Sequence, residues 1–158
     1  MTVCFSGHRN IDKSVLPRLK EELESTIRNL ISDGADVFIC GGALGFDMLA
    51  EQTILALQEE FPHIQLVLAL PCPGHYRRWG AAEQEAMEEM IDAANKTVYV
   101  SSEYTRTCMF ERNEYMVDSS DLLVCYLTEF KGGTVQTTNY TKRVGKKIVN
   151  VADGGTNG

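Results

Sequence analysis

Short apolar runs alternate with longer amphipathic segments from one end of the chain to the other. The candidate strands are Thr2–Ser6, Val37–Cys40, Leu66–Leu70, Thr97–Ser101, Leu122–Leu127 and Lys147–Val151. Most of them are apolar at nearly every position, as strands buried on both faces are. The segments between them repeat apolar residues at spacings of three and four, which predicts helices. Strands that alternate with helices in this way form parallel sheets, so the sequence predicts an α/β fold.

The amphipathic segments predict five helices. The first carries Leu16, Leu19, Leu23, Ile27, Leu30 and Ile31 at helical spacing and ends before Gly34. The other four run over about Phe46–Phe61, Trp79–Ala94, Met109–Ser119 and Thr134–Val144. We therefore expect residues 1–152 to form a single Rossmann-like domain, with a central, mostly parallel sheet and helices on both faces. The polar, glycine-rich tail Asp153–Gly158 is expected to be disordered.

Size and charge limit the classes of function. A chain of 158 residues is the size of one ordinary domain. Its formal net charge is −7 and its pI is about 5.0, whereas binding a nucleic acid backbone requires clustered Lys and Arg. The charge therefore predicts that nucleic acid is an unlikely partner, although it leaves room for a local basic pocket. The five scattered cysteines lie mostly in apolar runs, which predicts buried thiols rather than metal ligands.

The sequence also predicts the compartment. The N-terminus begins directly with an apolar, strand-like run and lacks the pattern of a secretory signal. No stretch approaches the ~20 apolar residues that a membrane span needs. We therefore expect a cytoplasmic protein with no membrane partner.

Ligands of open parallel sheets bind outside the carboxyl ends of the strands, where loop amides and helix N-termini converge. Four segments in or near such positions carry distinctive residues: Ser6-Gly7-His8-Arg9, Gly41 to Asp47, Arg112-Asn113, and Lys131 to Thr134. The sequence predicts that these segments meet at one end of the sheet and form a binding site.

The first glycine-rich loop predicts a phosphate site. Gly41, Gly42 and Gly45 connect a strand to a helix, where glycines let the backbone approach a ligand and present amides to an anion. The spacing is not that of the dinucleotide-binding fingerprint, and a simple tight turn is the alternative. Asp47 either caps the helix or forms a hydrogen bond with a ribose hydroxyl.

A second glycine turn has the same context, after an apolar strand and before a helix. Gly132 and Gly133 form the turn, and Lys131 beside them is a candidate charge partner. Thr134 at the helix start either satisfies an orphan amide or contacts a phosphate oxygen. Two such turns facing one crevice indicate an anion site more strongly than either does alone.

Side chains beside these turns are candidate hydrogen-bond donors. His8 and Arg9 directly follow the first strand, and the planar guanidinium of arginine suits phosphate, with solvated turn residues as the alternative. Arg112 interrupts the core spacing of a helix and either turns toward the site or forms a surface ion pair with Glu111 or another carboxylate.

Trp79, the single tryptophan, either stacks on a base at the rim of the site or closes the core. The sequence contains neither a clear metal-ligand cluster nor an assignable Ser-His-Asp triad, so no metal site is predicted.

Taken together, these residues resemble the SLOG superfamily, which includes the DNA-processing Smf proteins and the LONELY GUY nucleotide hydrolases. The YpsA-like branch is most similar, through Ser6-Gly7-His8-Arg9, Gly41 to Asp47 with the following Ala50-Glu51, and the tryptophan after the third strand. The resemblance covers almost the whole chain. It implies a domain that binds a nucleotide or a nucleotide-derived molecule, including NAD-like and ADP-ribose-like ligands.

The resemblance to LONELY GUY enzymes bears on catalysis. Their Glu-Arg-Lys motif is similar to Glu111-Arg112-Asn113, and their glycine-threonine loop is similar to the segment from Gly133 to Thr137. Asn113 stands in place of their lysine, and Thr137 in place of the glutamate thought to cleave the N-glycosidic bond. The resemblance therefore implies that binding residues are retained better than catalytic ones.

The leading hypothesis is a non-catalytic nucleotide-binding domain. The alternative is a phosphoribohydrolase that splits the N-glycosidic bond of a nucleoside monophosphate, with Asp47 or Glu111 as the weak catalytic candidates. A single-stranded nucleic-acid binder is the second alternative. No cofactor is expected to be required, Mg²⁺ is expected only alongside a polyphosphate ligand, and a homo-oligomer is implied by the resemblance.

Overall fold

Six parallel strands form the centre of the structure, a computed structural model that describes residues 1–153. The strands are β1 (Thr2–Gly7), β2 (Val37–Cys40), β3 (Gln65–Leu70), β4 (Lys96–Tyr99), β5 (Leu122–Tyr126) and β6 (Lys147–Asn150). The helices are α1 (Leu16–Ser32), α2 (Phe46–Leu57), α3 (Ala81–Ala93), α4 (Cys108–Asp118) and α5 (Gly133–Arg143), followed by a short 3-10 helix, Val151–Asp153. The predicted Rossmann-like α/β fold is confirmed.

The strand order positions the candidate site. The sheet runs β4-β3-β2-β1-β5-β6, and every neighbouring pair is parallel. The chain builds outward from β1 to β4 and then returns to place β5 on the other side of β1, with Val3 opposite Leu122 and Gly7 opposite Tyr126. The strand order therefore reverses at β1, and loops that leave the sheet at such a reversal diverge and open a crevice.

Two apolar layers cover the sheet because successive side chains of a strand point to opposite faces. Val3 and Phe5 of β1 pack into a core that contains the buried faces of α1, α2 and α3. Cys4, between them, packs into a second core with Met116 of α4 and, at its edge, Tyr140 of α5. All five cysteines are buried thiols, as predicted.

The helix ends differ from the predicted ones where local hydrogen bonds intervene. Helix α2 ends at Leu57 rather than Phe61, and the following residues form a turn in which the amides of Glu60 and Phe61 both donate to the Leu57 carbonyl. Helix α3 begins at Ala81 rather than Trp79, because extended Gly80 precedes it and donates its amide to Glu83 Oε1 at 3.2 Å. Trp79 therefore lies in the preceding turn.

Two sequence expectations concern the chain end and the membrane. The predicted disordered tail lies outside the described residues, apart from Asp153, which ends the 3-10 helix. Among residues 1–153, no helix combines the length and the apolar character needed to cross a bilayer.

Candidate functional site

A crevice of about 260 Å³ opens at the carboxyl ends of β1 and β5, between the N-terminal ends of α2 and α5 and the inner side of α4. The structure brings most of the predicted site residues into its lining. These residues are Gly7, His8, Arg9, Asp47, Arg112, Asn113, Gly132, Gly133 and Thr134. Lys131, Ser6, Ala43 and Met116 complete the lining.

Four predicted residues lie beside the crevice instead of lining it: Gly41, Gly42, Gly45 and Trp79. The carbonyl of Gly42 accepts a hydrogen bond from His75 Nε2 at 2.8 Å. Trp79 lines a separate cavity of about 580 Å³. The two openings are linked by Arg9, whose guanidinium carbon lies 5.7 Å from the centre of the Trp79 ring.

Two glycines of the first loop are required by close approach. A Cβ on Gly41 would lie 2.9 Å from Arg112 Nη1 and 3.1 Å from Asp47 Oδ2, so only glycine leaves space for both groups. Gly45 has a φ of 80°, and a Cβ there would also collide with the carbonyl of Arg9. The loop thus needs glycine for sterics and for a left-handed backbone conformation.

Arg112 supplies the central positive charge of the crevice. Its side chain is buried, with 8% exposure. Nε donates to Asn113 Oδ1 at 2.8 Å, Nη1 donates to the carbonyl of Gly41, and Nη2 contacts Met109 Sδ at 3.9 Å. A guanidinium has five N–H groups, so one on each Nη atom has no partner within residues 1–153. The residue turns toward the site, as one of the two sequence readings predicted.

Two buried carboxyl groups lie close to Arg112 on α2. Asp47 Oδ2 accepts a hydrogen bond from the Ala43 amide at 3.2 Å, whereas its Oδ1 is buried and lacks a partner in the described part of the chain. Burial raises the pKa of Asp47 to about 6, opposed by the Arg112 charge and the Ala43 amide. Gly45, not Asp47, occupies the N-cap position of α2.

Glu51 lies one helical turn after Asp47 and is completely buried. Neither of its carboxyl oxygens has a hydrogen-bond partner among residues 1–153. Burial and the nearby Asp47 raise the pKa of Glu51 well above its ordinary value. Both causes favour the neutral form of Glu51, and of the two carboxyl groups Asp47 interacts more strongly with the Arg112 charge. Burial lowers the pKa of Arg112 while the Asp47 charge raises it.

His8 forms two hydrogen bonds with the loop that follows β5. Its Nε2 accepts hydrogen bonds from the amides of Thr128 and Glu129, at 2.9 and 3.2 Å. The ring proton is therefore assigned to Nδ1, because a nitrogen that accepts cannot carry it. His8 thus positions the loop between β5 and α5 at the rim of the crevice.

The sequence did not indicate one hydrogen bond that supports the site. Asn113 Nδ2 donates to Gln136 Oε1 at 3.0 Å and so connects α4 to the first turn of α5. Because Asn113 Oδ1 also accepts from Arg112, this amide pair positions the guanidinium. The only available signal was the place of Gln136, three residues after Gly133 of the second glycine turn.

The residues considered for a catalytic role differ in their position relative to the crevice. Glu111 is exposed, lies outside the crevice lining, and its carboxylate accepts from Thr107 Oγ1 at 3.4 Å. Thr137 is buried and donates to the Gly133 carbonyl within its own helix at 2.9 Å. Among the residues that line the crevice, Asp47 is the carboxylate in position to contact a ligand. Within residues 1–153, no group of three or more His, Cys, Asp or Glu is arranged to hold a metal ion.

Comparison with known proteins identifies the family. The YpsA family model, described as the YspA SLOG family, matches residues 5–150. The chain belongs to this family. Membership in the YspA SLOG family confirms the resemblance drawn from the glycine loops and the residues around them.

The chain is also similar to two bacterial proteins whose descriptions state no function. The chain is 30% identical over 139 residues to the uncharacterized SPbeta prophage-derived protein YoqJ of Bacillus subtilis, covering 80% of this chain and 81% of YoqJ. It is 27% identical over 139 residues to a UPF0398 protein of Bacillus licheniformis, covering 86% of this chain and 76% of that protein.

Two solved structures share the fold of this YspA SLOG domain. DNA processing protein A from Helicobacter pylori, described as having a unique single-stranded DNA binding mode, matches with a TM-score of 0.66 at 20% identity. The match covers 94% of this chain and 63% of that one. DNA processing protein A from Streptococcus pneumoniae matches with a TM-score of 0.65 at 14% identity, covering 93% of this chain and 48% of that one. The chain thus spans less than two thirds of either structure.

The expectation that nucleic acid is an unlikely partner is wrong. It rested on net charge, and the Helicobacter pylori protein with this fold is described as binding single-stranded DNA. The physical reason is that net charge averages over the whole surface, whereas binding depends on local charge. Among the residues that the structure describes, the lining of the crevice contains the cations Arg9, Arg112 and Lys131 and one carboxylate, that of Asp47.

Proposed function

We propose that the crevice binds the phosphate group of a nucleotide and that the protein acts as a binding domain rather than a hydrolase. The observation that carries the proposal is the buried guanidinium of Arg112, with an N–H on each Nη atom left for a ligand. Arginine donors and the amides of two glycine turns are the groups that recognise phosphate oxygens.

The size of the crevice supports a phosphate group with part of its sugar. At about 260 Å³ it lies below the range of roughly 300–1,000 Å³ typical of pockets that enclose a whole small molecule. The base of a nucleotide would therefore extend beyond the crevice. The same chemistry fits a free nucleotide or one phosphate of a nucleic acid strand, and the strand is a second candidate because of the DNA processing protein A from Helicobacter pylori.

The binding reading is supported by the positions of the catalytic candidates. Glu111 lies outside the crevice lining and Thr137 bonds within its own helix. A phosphoribohydrolase would then have to use Asp47 as its acid or base. Asp47 Oδ1 has no hydrogen-bond partner among the described residues and the pKa of Asp47 is raised, so this alternative is tested below.

Calorimetry with AMP, adenosine and an oligothymidylate tests the proposal. AMP and the oligothymidylate should both bind, and adenosine should bind much more weakly because it lacks phosphate. Arg112→Ala should weaken AMP binding by about 1.5–3 kcal/mol, the value of a hydrogen bond to a charged group. Arg18→Ala, which removes an exposed arginine on α1, is the matched control and should change nothing.

Two results would contradict the proposal. Equal affinity for AMP and adenosine would mean that the crevice does not recognise phosphate. Steady release of adenine from AMP that is abolished in Asp47→Asn would show that the protein is a hydrolase that uses Asp47.

A further inference from the structure

Two further openings follow the crevice along the loop between β5 and α5. A second opening, of about 490 Å³, shares His8, Arg9, Lys131 and Gly132 with the crevice. A third opening, of about 790 Å³, lies between α5 and the edge strand β6 and shares Thr128 with the second. The shared residues make the three openings consecutive, and we refer to the third as the β6 groove.

The β6 groove is positively charged although the protein as a whole is acidic. Lys142, Lys146 and Lys147 contribute to its lining, and no Asp or Glu does so among the described residues. In the second opening the carboxylate is Glu129, and it is already paired with Lys131 at 3.3 Å. On a chain of net charge −7, this concentration of cations favours a polyanion over a neutral or cationic partner.

Two of these lysines are available to a partner. Lys146 Nζ donates to the carbonyls of Val117 and Asp118 at the end of α4, at 2.8 and 3.2 Å, so its position is fixed by the fold. Lys142 and Lys147 are exposed and form no ion pair within residues 1–153. Flexible, unpaired lysines of this kind neutralise backbone phosphates.

An exposed aromatic ring lies in the same groove. Phe130 lines the β6 groove and is 88% exposed, an unusual state for a phenylalanine. An aromatic ring beside cationic side chains provides a stacking surface for an unpaired base. The bases of a duplex are stacked on one another, so a single strand is the form of nucleic acid that can use this ring.

We propose that the β6 groove binds a single strand of nucleic acid, with one phosphate in the crevice, later phosphates at Lys142 and Lys147, and a base stacked on Phe130. The proposal rests on the proposed function only for the phosphate in the crevice. It adds an interaction surface and fixes the partner as an extended strand rather than a lone nucleotide.

Fluorescence anisotropy with oligothymidylates of two, four, eight and twelve residues tests the groove. Affinity for the full-length chain should rise with oligomer length, and a twelve-residue duplex should bind more weakly than the single strand. Lys142→Ala/Lys147→Ala should weaken binding of the twelve-residue strand and make the slope of log K against log salt shallower by about 1.4, since each phosphate contact to a single strand contributes about 0.7. Phe130→Ala should weaken binding by roughly tenfold.

Matched variants separate these effects from general changes in charge or apolar surface. Lys20→Ala/Lys96→Ala removes two exposed lysines outside the groove, and Phe110→Ala removes a half-exposed ring on α4. Both should bind the twelve-residue strand as the parent does. The groove variants should retain the parent's affinity for AMP and its melting temperature, because these side chains are exposed and lie outside the crevice lining.

The proposals for the groove and for the crevice can be contradicted independently. The groove proposal is overturned if the twelve-residue strand binds no more tightly than the two-residue strand. It is also overturned if both groove variants bind the twelve-residue strand with the affinity of the parent. Neither conclusion depends on the affinity for AMP. If the affinity for the twelve-residue strand depends on Phe130 and the two lysines but AMP binding does not require Arg112, the groove proposal holds. The proposed function of the crevice is then wrong.

Discussion

Arg112 keeps a charged guanidinium almost entirely inside the protein, and its neighbours make this possible. A buried charge is tolerated when it is hydrogen-bonded and when an opposite charge lies nearby. Gly41 and Asn113 accept its hydrogen bonds, and ionised Asp47 provides the opposite charge. The arrangement depends on the absence of a side chain at Gly41, because the guanidinium and the Asp47 carboxylate occupy that space.

Gly41→Ala should therefore damage both the site and the stability of the protein. The added methyl group would lie 2.9 Å from Arg112 Nη1, so the guanidinium must move away from its acceptor. We expect a loss of roughly 1–3 kcal/mol in the free energy of unfolding, as for other overpacked positions, measured by urea denaturation. AMP affinity measured by calorimetry should fall as well.

Gly133→Ala is the control for this experiment. A Cβ at Gly133 would have Asn113 Nδ2 as its neighbour at 3.8 Å, an ordinary contact, so the free energy of unfolding should stay close to that of the parent. A Gly41→Ala protein with the stability and AMP affinity of the parent would show that the Arg112 guanidinium can adopt another position without loss.

At the scale of elements, the hydrogen bond between Asn113 and Gln136 couples the positions of α4 and α5. Each helix carries part of the crevice, Arg112 on α4 and Gly133 on α5. A side-chain hydrogen bond between two helices restricts their relative movement, so it helps to keep the two halves of the phosphate site at one distance.

Gln136→Ala should loosen this connection without touching the ligand. Asn113 would lose the acceptor of its Nδ2 group, which costs about 1 kcal/mol of stability in a thermal or urea denaturation experiment. AMP affinity should fall by a smaller factor than in Arg112→Ala, because the guanidinium remains but is positioned less firmly. Asn139→Ala, an exposed position on the same helix, should affect neither quantity. Unchanged AMP affinity in Gln136→Ala would mean that Asn113 and Gly41 position Arg112 without help from Gln136.

The elements themselves were predictable from the sequence, and their ends less so. Strands buried on both faces give continuous apolar runs, and for this reason β2 was predicted at its observed bounds. The start of α3 was misplaced because the extended backbone of Gly80 and its bond to Glu83 are local details that apolar spacing does not carry.

The same distinction holds in the site. The glycine turns and Arg112 were found because their positions after strands follow from chain order alone. The sequence did not predict the pairing of Asn113 with Gln136 or the burial of Glu51, because both depend on how separate helices pack. The acidic net charge misled because it contains no information about where the lysines of the β6 groove lie.

At the scale of the whole molecule, stability should depend on the buried acids under the first glycine loop. The two carboxyl groups, Asp47 and Glu51, are shielded from water and are harder to ionise than in the unfolded chain. The folded state therefore holds protons that the unfolded state releases as the pH rises. Stability from these groups is greatest at low pH and is lost as the pH rises through their folded pKa values.

Glu51→Gln should flatten this dependence. The pKa of Asp47 is raised from 3.8 to about 6, so its part of the loss falls between about pH 4 and pH 6 and remains in the variant. The pKa of Glu51 is raised well above 4.5, so its part continues to higher pH and disappears when the carboxyl is replaced by a neutral amide. We expect the melting temperature of the parent to fall more steeply than that of Glu51→Gln as the pH rises above 4.5, measured by differential scanning calorimetry at constant salt. Glu85→Gln, which neutralises an exposed acid on α3, should follow the parent. Parallel curves for the parent and Glu51→Gln would mean that Glu51 titrates no differently in the folded and unfolded states, and that water reaches its carboxyl group beneath the loop.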